Sequence, residues 1–247
     1  MGVCAEAKTA EKGWALNQIS KLSGAHSVLM TAHALRVESI SNHYIVVARA
    51  PSWQMVIYNP SSKVSFRTSV DKFRGRLAMG SSLLNGNFLE DLPLSNRSKT
   101  IEPFLSVKSE HYSVLYKHQS RPRRSLSESP FALSTHDVVG ANYWVWAESD
   151  APLIVRSILQ KIYKVPIIDR IPLRLILVDS EKHASIELDT KKIQARMIDD
   201  SVFAVPSGLR PVGSEEEVLN DADRKFRVNR MIQNFDDWRD VMDREGK

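Results

Sequence analysis

Cysteine is nearly missing from this 247-residue chain: Cys4 stands alone. No intramolecular disulfide can staple the fold, which suits a reducing compartment and equally suits an exported protein that needs no bridge. No apolar run approaches about eighteen residues, the length a membrane-spanning helix requires. The N-terminus carries neither a charged n-region nor an h-region, so the chain is either intracellular or an exported form without its leader. The seven histidines, His26, His33, His43, His111, His118, His136 and His183, form no HxH or HxxxH pair and have no cysteine partner, so a metal site has no support in their spacing. There is no GxSxG nucleophile elbow, and the stretch from Gly80 to Gly86 lacks the Lys-Ser/Thr sequel of a phosphate-cradling loop. No catalytic constellation, metal or cofactor is therefore expected, and the chain reads as non-enzymatic.

Charge of one sign is also not concentrated. Lys and Arg number 34 against 29 Asp and Glu, a net +5, and the two signs alternate along nearly the whole length. That is a solvated surface, and no nucleic-acid stripe is expected. At 43% apolar content the chain can bury a sizeable core, most simply as one β-rich domain. Met1-Gly2-Val3-Cys4 starts like an acylation signal, but Glu6 stands where myristoylation wants Ser or Thr. Cys4 before Ala5 suits a processed bacterial lipoprotein; otherwise it is a stray thiol in a frayed tail.

What the sequence has is a run of short strands around residues 42–69. Tyr44 to Ala48, Trp53 to Tyr58 and Lys63 to Ser69 predict three antiparallel strands, the last with Val64, Phe66 and Thr68 facing opposite to Lys63, Ser65 and Arg67. Pro51-Ser52 and Asn59-Pro60-Ser61-Ser62 supply the turns. Ahead of them, Ser27 to Thr31 and Ala34 to Ile40 predict two more strands, and Trp14, Leu16, Ile19 and Leu22 predict a short amphipathic helix over 7–22 that Gly24 ends. Leu77 to Lys99 predicts short helical pieces lying over the sheet. Thr100 to Val107, Tyr112 to His118 and Asn142 to Ala147 predict further strands.

Residues 117–130 are basic and Ser-rich with two prolines, which predicts a flexible insertion; its cluster Arg121, Arg123 and Arg124 is either a phosphate or acidic-surface site or simply surface charge. Asp150 and Pro152 predict the start of a helix with Leu153, Ile154, Ile158, Leu159 and Ile162 as its apolar stripe, stopped by Pro166. Leu173 to Val178, Ala184 to Leu188 and Ile193 to Met197 predict three strands, the last two separated by a turn at Asp189-Thr190-Lys191. The Pro-containing segment Phe203 to Val212 predicts an edge. Ser214 and Glu217 form a capping box, and 221–247 predicts a charged amphipathic helix that either packs on its own domain or presents a surface to a protein partner.

Two of these stretches carry a resemblance. Trp53 to Phe66, WQMVIYNPSSKVSF, is similar to a strand, Tyr-Asn-Pro turn and strand of the LolA-like outer-membrane lipoprotein carriers, and Phe203, Pro206, Gly208 and Val212 resemble that family's last strand. The resemblance implies an α+β fold: a curled antiparallel sheet of about ten strands, an incomplete β-barrel covered by helices. It implies a domain over 27–212; the N-terminal tail and helix over 1–26 and the charged helix within 213–247 are read from the residues themselves, and that last helix, like the insertion 117–130, departs from the family's pattern. It also implies a periplasmic or cell-envelope location, with a cytoplasmic one left open. The implied partner is a lipid or lipoprotein acyl chain held in the concavity, and Arg36 and Arg49 are the candidates for the family's lid-contacting arginine. Tyr44, Trp53, Met55, Ile57, Phe66, Tyr143, Trp144 and Trp146 fall in predicted strands and would line such a concavity, or else form ordinary core. The alternative reading is a protein-interaction module using the sheet face and the C-terminal helix.

Overall fold

The computed structural model describes residues 10–77, 97–115, 138–179 and 181–219. Six strands run in order up to residue 77: β1 (Ala10–Ser20), β2 (Gly24–Met30), β3 (Ala34–Ser39), β4 (Ile45–Arg49), β5 (Gln54–Asn59) and β6 (Val64–Thr68). Then come β7 (Arg97–Phe104), β8 (Val107–Leu115) and β9 (Val138–Trp146), the helix α1 (Leu153–Tyr163), β10 (Ile171–Asp179) and β11 (Ala184–Asp199). A 3-10 turn at Asp200–Phe203, the two-residue β12 (Arg210–Pro211) and the short helix α2 (Glu215–Leu219) complete the described chain.

All twelve strands form one open sheet, ordered β12-β6-β5-β4-β3-β2-β1-β11-β10-β9-β8-β7. Every pairing is antiparallel except β12 with β6, and among the described residues no ladder joins the two edges. The fold is thus an incomplete, curled antiparallel barrel covered by helices, with twelve strands where about ten are expected. Hairpins build two meanders, β1 to β6 and β7 to β11. The long ladder of β1 on β11, from Ala10↔Asp199 to Ser20↔Leu188, splices them.

Two expectations fail here for physical reasons. The helix predicted over 7–22 is strand β1 in the middle of the sheet, so the sheet begins ahead of residue 27. Its Leu16, Gln18 and Ser20 are buried at a spacing of two while Ile19 is 45% exposed. Polar residues at two of the inward positions hide the strand period, and the apolar Ile19 on the outside imitates a helical one. The turn predicted at Asp189-Thr190-Lys191 is the interior of β11. The ladder shifts register between Asn17 and Gln18, where Lys191 is the extra residue of a bulge. The turn-like side chains are satisfied inside the strand: Thr190 Oγ1 donates to the Leu173 carbonyl at 2.6 Å, and Asp189 accepts from Arg174 Nε at 2.7 Å.

The sheet's covered face meets α1. Val155, Ile158, Leu159 and Ile162 of the helix are buried against an inner face that runs from Val64 and Ile57 through Val46, Val37, Val28 and Leu16 to Leu175 and Tyr143. Burying each such aliphatic side chain contributes about 1.5–3 kcal/mol. Asp150 is not the cap of α1. Pro152 occupies the N-cap with no side-chain hydrogen bond, and Asp150 accepts from Trp14 Nε1 at 3.2 Å. On the reverse face, Ile45, Val47, Val56 and Tyr58 pack beneath Phe203, which the 3-10 turn presents.

A strap follows β6. Phe73 and Leu77 are fully buried, and α2 clamps the strap: the buried Glu215 accepts from the backbone N–H groups of Arg74 at 2.7 Å and Arg76 at 2.8 Å. The predicted capping box is present, Ser214 Oγ accepting from the Glu217 N–H at 3.3 Å. The predicted edge segment is mostly irregular, contributing only β12 in parallel to β6. Of the predicted cover over Leu77 to Lys99, residues 78–96 lie outside the described residues. So do Cys4, the Arg121, Arg123 and Arg124 cluster with the insertion 117–130, and the helix expected over 221–247.

Candidate ligand-binding concavity

Alternation decides which side chains point beneath α1. On β5 it sends Met55, Ile57 and Asn59 inward and Val56 and Tyr58 to the reverse face, and cross-strand pairing of Ile57 with Phe66 and Met55 with Thr68 carries the inward face to β6. Tyr44 precedes β4 on the same face as Val46 and Ala48, and Tyr143 lies beside Leu175. Tyr44, Met55, Ile57 and Tyr143 are fully buried, and Phe66 and Trp53 pack against them at the margin. Trp146 joins this core edge-on to Trp14, with ring centroids 4.6 Å apart.

All eight predicted lining residues lie in this core or pack against it, Trp144 among those at its margin. Trp144 alternates with Tyr143 along β9, stacks on His111 at 4.1 Å, and shares Arg174 with Phe104, itself part of the core. Its indole N–H donates to Glu102. Asp189 nearby is nearly buried; burial alone would raise its pKa, but Lys191 and Arg174 outweigh that and hold it below the usual aspartate value.

The two candidate arginines do not reach the helix. Arg36 donates to Tyr58 Oη at 3.1 Å and to the Val202 carbonyl at 3.2 Å, and Arg49 pairs with Asp200 at 2.6 Å. Both fasten the 3-10 turn to the reverse face. Instead, α1 is held by polar contacts at its ends: Lys161 Nζ donates to the Val70 carbonyl at 2.7 Å, Lys164 Nζ to that of Arg74, and Arg156 reaches the Ala151 carbonyl at 2.9 Å and the Asp169 carbonyl at 2.7 Å.

One feature of the inner face was not foreseen in the sequence. Where the helix ends, the lining turns polar without becoming charged. Gln18 on β1 lies opposite His26 on β2, His26 Nε2 shares a hydrogen bond with Tyr44 Oη at 3.1 Å, and the His26 ring meets the ring of Tyr163 on α1 edge-on at 5.3 Å. Gln18, His26 and Tyr163 are each 1% exposed. Burial drives His26 down to about 4, the Gly24 carbonyl offsetting part of the effect, so its imidazole is neutral near pH 7. Burial likewise pushes the Tyr163 and Tyr143 phenols up, and both stay protonated.

Not all of this cluster is satisfied. Gln18 Nε2 donates to the Pro172 carbonyl and to Thr190 Oγ1, both at 2.8 Å, but Gln18 Oε1 receives nothing. The hydroxyl of Tyr163 also lacks a hydrogen-bond partner. An unmade hydrogen bond on a buried group costs about 1–3 kcal/mol, so α1 docks on the sheet with a penalty on both sides of the contact. The only sequence signal for this site is the pair of polar residues, Gln18 and Ser20, that spoils the period of β1.

Elsewhere, two surface recesses lie away from this face. One of about 280 Å³ is lined by Ser65, Arg67 and the 205–211 segment, and one of about 450 Å³ sits at the β7–β8 hairpin tip by Ile101 and Leu105. Among the described residues no cluster of His, Cys, Asp and Glu could hold a metal ion, and no helix is long and apolar enough to cross a membrane.

No protein-family model matches the sequence, and no curated protein matches it. Among solved structures, the chain is similar to an uncharacterized conserved protein from Thermus thermophilus, with a TM-score of 0.40 and 8% identity over 82% of this chain and 90% of that one. It also has a distant likeness to a domain from Vibrio parahaemolyticus described as that of an outer membrane lipoprotein-sorting protein. That match has a TM-score of 0.26 and 9% identity, covering 78% of this chain and 89% of the other.

Proposed function

We propose that this protein is a non-enzymatic binder of a lipid or other acyl chain, taken up between the sheet's inner face and α1, and that it works in the cell envelope. The observation that carries this reading is the asymmetry of the sheet: its inner face is largely apolar from β6 to β8 and, among the described residues, is covered by α1, the strap after β6 and α2 rather than by a second sheet. The cover takes no part in any strand ladder, so it can part from the sheet without breaking one. An acyl chain between the sheet and α1 would cover the same apolar side chains and contribute about 0.8 kcal/mol per buried methylene.

The experiment is a titration of delipidated protein with an uncharged fluorescent acyl ester. Saturable binding displaced by unlabelled lipid is expected, and a flat titration overturns the reading. Tyr143→Asp, which places a charge in the apolar lining, is expected to abolish the signal if the variant remains folded by circular dichroism.

A further inference from the structure

The inner face holds a second kind of chemistry that the acyl reading does not use. Resting on that reading, we propose that the Gln18, His26 and Tyr163 cluster is the head-group subsite, and that it selects an uncharged acyl ligand bearing an ester or hydroxyl over an ionised fatty acid. The geometry has three parts. First, the cluster lies on the same face as the apolar lining, so a chain seated under α1 can present its head to it. Second, the unused groups come from both sides of the contact: the Tyr163 hydroxyl on the helix is a free donor, and Gln18 Oε1 on the sheet is a free acceptor. An ester carbonyl accepts from the first and a hydroxyl donates to the second, so a glyceryl-type head satisfies what the closed structure leaves open.

Third, nothing in the cluster carries charge. Gln18 and Tyr163 are neutral, and burial keeps His26 neutral near pH 7. Lys161 and Lys164, the cations nearest along α1, are turned to the backbone of residues 70 and 74. A carboxylate entering this site would lose its water and find no counter-charge. The protonated acid would escape that cost, so discrimination against fatty acids should weaken as pH falls.

The test is competition for the full-length chain between a monoacylglycerol and the fatty-acid anion of the same chain length, each displacing the uncharged fluorescent acyl ester near pH 8. The monoacylglycerol is expected to compete at least about tenfold better. Tyr163→Phe, which removes only an unpartnered hydroxyl, and Gln18→Met are expected to bring the ratio to within about twofold while the probe still binds. Equal competition in the wild-type chain, or a ratio unmoved in both variants, overturns the subsite and leaves the acyl reading standing. Failure of the probe itself to bind overturns both. The wild-type ratio decides the matter even if a variant does not fold.

Discussion

At the scale of single residues, His26 is the most informative group. Its folded pKa, about 4, lies below its ordinary 6.5, so the unfolded chain binds more protons between those values. Its contribution to stability is fully present above about pH 6.5 and is lost as pH falls toward 4. Urea denaturation of the wild-type protein should show about 2 kcal/mol less stability from this group near pH 5 than near pH 7.5. His26→Gln should flatten that dependence, and an unchanged pH profile would mean that His26 is not buried neutral. Gly75 is the second residue with a sharp consequence. It has φ +65°, and a Cβ there would lie 2.0 Å from the Lys161 carbonyl oxygen. Gly75→Ala should cost about 3 kcal/mol or more in thermal or chemical unfolding, because backbone strain and a backbone clash act together.

At the scale of elements, α1 and the strap behind it decide whether the inner face is covered. The strap between β6 and residue 77 is pinned by Glu215, a side chain that accepts two backbone N–H groups while 5% exposed. Glu215→Ala should destabilise the protein by about 1–3 kcal/mol, read from the denaturation midpoint, since it strands those donors. The sheet's edges are managed by composition. β12 is short and ends in Pro211, while β7 carries Lys99, Glu102 and Pro103. Replacing both Lys99 and Glu102 with Val should produce concentration-dependent association detectable by light scattering, because an unblunted edge recruits a second strand.

At the scale of the whole molecule, the ladder of β1 on β11 makes two meanders into one sheet. Residues nearly the whole described chain apart are neighbours, as Ala10 is to Asp199. Unfolding followed by tryptophan fluorescence and by far-ultraviolet circular dichroism should therefore give coincident transitions. Deleting residues 1–20 should leave a chain that does not fold, since both halves lose their central neighbour. Two separate transitions would show that the meanders are independent units.

The strands β2 to β6, the strand character of β9 and β10, the turns at Pro51-Ser52 and at Asn59 to Ser62, and the inward alternation of Met55, Ile57 and Phe66 were legible in the sequence, because hairpins are local and a period of two is written directly in which residues are apolar. The capping box at Ser214 and the body of α1 were legible for the same reason. What the tertiary structure alone decided is where distant strands meet. β1 is a strand because β11 and β2 flank it on either side, and no local pattern announces a partner about 170 to 190 residues away. The same holds for the polar subsite: the β1–β2 hairpin pairs Gln18 with His26, but only the docking of α1 on the sheet brings Tyr163 to them and strips all three of water.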